Sequence, residues 1–215
     1  MHTFTTKILA SLSAQAATLS LLTVVLAPAA LAQRLDPHQV YVRAITYAGS
    51  GCAAGTVAAN VSGDASAFDL MFDSFIAEAG PGVPLMESRK LCTINLDLSV
   101  PQGWSYAVSS VQTRGFASLD AGTSATQINR YYFQGSASTA TFRSTMNGPL
   151  TRDYVFTDQL SVSNQVWSPC GVSRALNLAV EARVQAPSGR RALLTVNEVD
   201  GGYSRRYFLA FKRCN

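Results

Sequence analysis

The stretch Cys92-Thr93-Ile94-Asn95-Leu96-Asp97-Leu98-Ser99-Val100 alternates apolar and polar residues without a break. Successive side chains of a strand point to opposite faces, so Cys92, Ile94, Leu96, Leu98 and Val100 line one face and Thr93, Asn95, Asp97 and Ser99 the other. This is a half-buried strand. The same period returns at Leu176, Leu178, Val180, Ala182 and Val184, at Phe68, Leu70 and Phe72, and at Tyr207, Leu209 and Phe211. Weaker runs near 40–47, 56–61, 104–113, 127–135, 153–159 and 190–198 read as further strands. Turn-forming clusters separate them, among them Gly80-Pro81-Gly82, Pro101-Gln102-Gly103, Asn147-Gly148-Pro149 and Asp200-Gly201-Gly202. Helical periodicity is missing downstream of residue 32. Short strands joined by Gly/Pro turns predict an all-β chain: a single-domain antiparallel β-sandwich, jelly-roll-like. Residues 190–199 and 203–214 read as its last hairpin, turning at Asp200-Gly201-Gly202.

The N-terminus predicts the compartment. Lys7 is followed by a run rich in Leu, Val and Ala, then Pro28 and the small-residue site Ala30-Leu31-Ala32. A basic start, an apolar stretch and small residues before Gln33 form a cleavable secretory signal over residues 1–32. Residues 33–215 are then one β-sandwich domain, expected outside the cytoplasm (secreted, extracellular or periplasmic). No later segment reaches the ~20 apolar residues that a spanning helix needs.

All four cysteines, Cys52, Cys92, Cys170 and Cys214, follow the signal. An even count in an exported chain reads as two disulfides. Of three possible pairings, Cys52–Cys92 and Cys170–Cys214 are favoured, because each closes a moderate loop and staples one half of the chain. The sequence holds no C-x-x-C or Cys/His cluster, so neither a metal site nor a cofactor is expected.

Candidate chemistry is sparse. Beyond the signal, His38 is the only histidine, close to the new N-terminus and poorly placed as a catalytic base. Gly103-Trp104-Ser105-Tyr106-Ala107 has the outline of a nucleophile elbow, but Ser105 enters a strand-like run rather than a helix. Paired carboxylates that would serve a glycosidase would have to converge from different strands. Asp120 and Asp200 read as turn residues. In Tyr131-Tyr132-Phe133 neighbouring rings point to opposite faces, which makes Tyr131 and Tyr132 candidate stacking residues. Trp104 and Trp167 read as core, the second packed near Cys170. Without Lys7 the chain carries 16 basic and 13 acidic residues, net +3. Residues 187–215 hold Arg190, Arg191, Arg205, Arg206, Lys212 and Arg213 against Glu198 and Asp200, net +4. A hairpin there gathers Arg190 and Arg191 beside Lys212 and Arg213 into a small basic end, which reads first as charge protecting an outer strand edge and otherwise as a contact for anionic envelope polymers, lipid head groups or nucleic acid.

The motifs Gly49-Ser50-Gly51-Cys52, Phe72-Asp73-Ser74-Phe75, Arg89-Lys90-Leu91-Cys92, Pro101-Gln102-Gly103-Trp104, Arg114-Gly115-Phe116-Ala117, Tyr132-Phe133-Gln134-Gly135 and Trp167-Ser168-Pro169-Cys170-Gly171 together resemble the secreted family of domain of unknown function 4360. The resemblance implies export and one domain, and it brings no catalytic residues. The expected function is a non-catalytic extracellular module that binds a glycan, an anionic envelope polymer or a protein, with no nucleic acid expected and no enzyme activity assigned. The alternatives are an extracellular hydrolase with convergent carboxylates and a secreted inhibitor-like protein presenting the loop 77–86.

Overall fold

In the computed structural model, which describes residues 34–196 and 204–214, the alternating segments become twelve strands. They are β1 (Tyr41–Ala48), β2 (Val57–Val61), β3 (Ala67–Phe72), β4 (Ile76–Ala79), β5 (Arg89–Ser99), β6 (Trp104–Leu119), β7 (Ser124–Phe133), β8 (Ala140–Asn147), β9 (Leu150–Gln159), β10 (Leu176–Gln185), β11 (Ala192–Thr195) and β12 (Arg205–Arg213). The segment read as an export signal lies outside the described residues. The residues from Leu35 onward form one compact unit.

Two antiparallel sheets share the core. The first has the order β1-β5-β10-β7-β8. Its alternation is the one that the sequence shows: Ile94, Leu96 and Leu98 of β5 and Leu178, Val180 and Val184 of β10 are buried, and their neighbours face out. The second runs β2-β3-β12-β6-β11-β4, with β9 on the other edge of β6. Phe68, Leu70, Val111, Ala117, Leu194 and Tyr207 from this sheet join the same apolar cluster as the inward residues of the first. Both expected disulfides are present, Cys52–Cys92 and Cys170–Cys214, with Cα atoms 5.6 and 5.8 Å apart.

Among the described residues the expected final hairpin does not form. β11 pairs with β6 through Leu194↔Ala117 to Ala192↔Leu119, and β12 pairs through Arg213↔Trp104 to Arg205↔Thr113. Since β9 occupies the opposite edge of β6 from Ser110 to Leu119, β11 and β12 lie end to end on the same edge. Both run antiparallel to β6, so they run in one direction and cannot pair with each other. The turn Asp200-Gly201-Gly202 lies outside the described residues. A strand of sixteen residues offers one edge long enough for both segments.

Candidate binding face

The outward side chains of the first sheet fall into rows fixed by the strand register. Tyr132, Asn177, Asn95 and Thr46 form one row across β7, β10, β5 and β1. Asn95 donates an amide hydrogen bond to Asn177 Oδ1 at 3.0 Å. The next row holds Thr141, Arg130, Ala179 and Thr93; then Arg143, Ile128, Glu181 and Leu91; then Thr145, Thr126, Arg183 and Arg89. Small hydroxyl and amide side chains thus frame a block of arginines.

Glu181 sits inside this block. Only 2% of its side chain is exposed, although it points away from the core. Arg89 covers it with a two-pronged contact, Nε to Oε1 at 2.9 Å and Nη2 to Oε2 at 3.1 Å. Arg183 Nη2 donates to Oε1 at 2.8 Å, and Arg130 Nη1 lies 3.8 Å from Oε2. The hydrogen bond from Arg89 holds the Glu181 carboxyl below the usual carboxylate range; burial opposes this, and Arg183 adds to it. The pair raises the Arg89 pKa in turn. One carboxylate cannot neutralise three guanidiniums whose side chains remain 54%, 41% and 40% exposed at Arg89, Arg130 and Arg183. Arg143, exposed beside Ile128, adds a further cation with no ion pair among the described residues. The face carries a surplus of about three positive charges, held rigid by a sheet.

The C-terminal cations expected to cluster are dispersed. Arg190 and Arg191 are exposed at one end of β6, where Arg191 N–H donates to Asp120 Oδ2 at 2.7 Å. Lys212 and Arg213 stand at the other end, about 50 Å away at the rise of a strand. Arg206 is held by Asp69 in a two-pronged pair at 2.7 and 2.8 Å. Arg205 points into the sandwich, is 0% exposed, and donates to Asn129 and Gln127. Burial pushes its pKa down. A ligand arriving from solvent does not meet its guanidinium. The fold therefore does not assemble the basic end, because the hairpin that would have gathered it is not there.

The tyrosines divide as period two requires. Tyr131 is buried, its hydroxyl donating to Val108 O at 2.9 Å, whereas Tyr132 faces outward beside Asn177. The tryptophans depart from the core reading. Both are half-buried and each carries a cation on its face. Lys212 Nζ lies 4.3 Å from the Trp167 ring centre, and the Arg213 guanidinium carbon 4.7 Å from that of Trp104. Trp104 and Arg213 are cross-strand partners. The loop 77–86 begins as β4 and continues into a tip at which Leu85 and Met86 are 86% and 76% exposed. His38 is exposed, in a short turn capped by Asp36. Ser105 is buried and donates to Ser168 O at 2.6 Å.

Arg89, Arg130, Arg143 and Arg183 escaped sequence reasoning because they come from four strands spread over 95 residues. The outward parity of Glu181 and Arg183 in β10 was visible; which strands flank β10 was not.

Among the described residues, no group of three or more His, Cys, Asp or Glu side chains is placed to hold a metal ion, and no helix is long and apolar enough to cross a membrane. Residues 38–214 match the family described as domain of unknown function (DUF4360). Among curated proteins the chain is similar to an uncharacterized secreted protein of Arthroderma benhamiae, 37% identical over 180 residues that cover 83% of this chain and 74% of that one. Among solved structures it aligns with TmCBM61 in complex with β-1,4-galactotriose at a TM-score of 0.27 and 7% identity, covering 80% of this chain and 89% of that one. A second alignment is to the enzymatically active domain of bacteriophage CBA120 tailspike protein 4, at a TM-score of 0.27 and 13% identity, covering 81% of this chain and 20% of that one. Neither structural similarity is strong enough to assign a fold or a ligand.

Proposed function

The chain belongs to the domain of unknown function (DUF4360) family, and from that premise we propose that it is an exported, non-catalytic module that binds an anionic extracellular polysaccharide on the outer face of its first sheet. The observation that carries this reading is the arginine block around Glu181. Three partly exposed guanidiniums share one carboxylate, and a fourth stands beside them. Guanidinium forks match the two oxygens of a uronate or sulfate group. Tyr132, Asn95 and Asn177 in the adjoining row offer a ring edge and amides to the sugar itself. The two disulfides and the secreted relative support an extracytoplasmic setting.

Turnover is not part of the proposal. Glu181 is the carboxylate at the centre of the face, and Arg89 and Arg183 hold it in its ionised form, so it is unsuited to act as a general acid at neutral pH.

The test is a titration with polygalacturonate and with an uncharged polysaccharide of similar length, at low and high salt. Retention of polygalacturonate should fall steeply with salt. It should drop about tenfold in Arg130→Gln/Arg143→Gln, equivalent to ~1.4 kcal/mol. Equal affinity for both polymers, or an unchanged affinity in the double variant, contradicts the reading.

A second reading, a secreted inhibitor, draws on the exposed tip at Leu85 and Met86. It requires inhibition of a secreted protease that Leu85→Ser/Met86→Ser abolishes.

A further inference from the structure

The edge of the sandwich beside β8 holds a feature that the arginine face does not use. β9 follows the edge of β6 to Gln159, and Leu160 N–H still donates to Ser109 O at 2.9 Å. The chain then leaves that edge, makes a short turn at Val162–Asn164, and returns where Trp167 bridges Ala107 and Ser168 N–H donates to Tyr106 O at 2.8 Å. Between this detour, the β7–β8 turn and the first residues of β8 lies an open groove of about 590 Å³. Seven uncharged polar residues and four apolar ones line it, and no charged residue does. Ser163, Asn164 and Gln165 come from the detour and Thr141 from β8; Leu160 and Trp167 supply apolar surface.

We propose that this groove binds neutral sugar residues, at a site separate from the arginine face. Hydroxyl and amide side chains both donate and accept, which is what a sugar hydroxyl requires of its partner. The indole supplies an apolar surface for the C–H face of a pyranose ring. The lining itself holds no charged side chain to pair with an anionic ligand, Lys212 being engaged on the Trp167 indole, and an apolar ligand would leave the polar side chains without partners. The detour is fixed in place from beneath. The buried Tyr131 hydroxyl accepts from Val166 N–H at 3.0 Å while donating to Val108 O, tying the segment before Trp167 to β6. Lys212 steadies the indole, with its ammonium 4.3 Å from the ring centre. Thr141 lines the groove and also pairs with Arg130 across β8 and β7, so the groove opens at the margin of the charged face.

The test uses indole fluorescence in Trp104→Phe protein, where Trp167 is the remaining tryptophan. The protein is titrated separately with cello-, manno- and galacto-oligosaccharides. Calorimetry on the unaltered protein serves as a second measurement independent of that substitution. A saturable emission change with at least one of these sugars is expected. Its affinity should fall tenfold or more in Asn164→Ala/Gln165→Ala, while polygalacturonate binding is unchanged. No binding of any of the three series by either method overturns the proposal, as does equal affinity in the double variant. Failure of the arginine-face reading would show instead in the polygalacturonate arm, through Arg130→Gln/Arg143→Gln.

Discussion

Glu181 alternates outward in β10 and is nonetheless among the least exposed charged groups, because Arg89, Arg130 and Arg183 fold over it. Replacing it with Gln removes charge-assisted hydrogen bonds and leaves three guanidiniums facing one another. Glu181→Gln should cost about 1–3 kcal/mol in denaturant unfolding at neutral pH. The pH dependence has a definite sign. The folded carboxyl has a pKa below its unfolded value, so its stabilisation is complete above the unfolded value, near 4.3, and disappears as pH falls through the lower folded value. Stability curves of the two proteins should therefore converge in acid and stay apart at neutral pH; parallel curves would remove Glu181 from the account. Gly115, in the run Arg114-Gly115-Phe116-Ala117, sits where there is no room for a side chain. A Cβ there would lie 2.0 Å from Thr195 O and 2.6 Å from the Tyr154 hydroxyl oxygen. Gly115→Ala should lower stability by about 1–3 kcal/mol in a thermal or denaturant melt, since the obstacle is backbone.

At the scale of elements, the strands with clean alternation were legible, and those that break it were not. β5 and β10 keep one parity from end to end. β6 does not: Tyr106 and Val108 face the core, then Val111, Thr113, Ala117 and Leu119 do. The pairing with β12 shifts at Phe208/Leu209, where Ser109 is passed over. A bulge of this kind exchanges the two faces, so a period-two reading loses the strand near its middle. β8 went unread because Ser144 occupies an inward position between Phe142 and Met146; it donates to Asp158 at 2.5 Å. β4 is only four residues long. The error over the last hairpin has the same root. Turn chemistry at Asp200-Gly201-Gly202 shows that a bend is favoured, but not that β6 is long enough to receive both arms. The Cys170–Cys214 bond closes 44 residues and fastens the end of β12, where Cys214 N–H also donates to Gly103 O. Cys170→Ser/Cys214→Ser should cost about 4 kcal/mol on the loop-entropy model. Amide exchange at Lys212 and Arg213 should speed up before that of the β5 and β10 core; unchanged exchange there would show that the crosslink is not what holds the end.

For the molecule as a whole, two sheets and two crosslinks follow from alternation and cysteine count, and both are present. The candidate site was far less legible. Arg190, Arg191, Arg205, Arg206, Lys212 and Arg213 are neighbours in sequence, yet the fold sends one into the core, pairs another with Asp69 and separates the rest along β6. Arg89, Arg130, Arg143 and Arg183 are distant in sequence, yet β5, β7, β8 and β10 set them side by side. Charge proximity in a sheet protein is decided by strand order, which one sequence does not display. The central claim is that the outer face of the first sheet receives an anionic polysaccharide. The most direct measurement is a backbone amide NMR titration with short galacturonate oligomers. Shift changes confined to the rows around Arg89, Arg130, Arg143, Arg183 and Tyr132 are predicted; changes gathered instead at the Leu85–Met86 tip or beside Lys212 and Arg213, or none at saturating ligand, would contradict it.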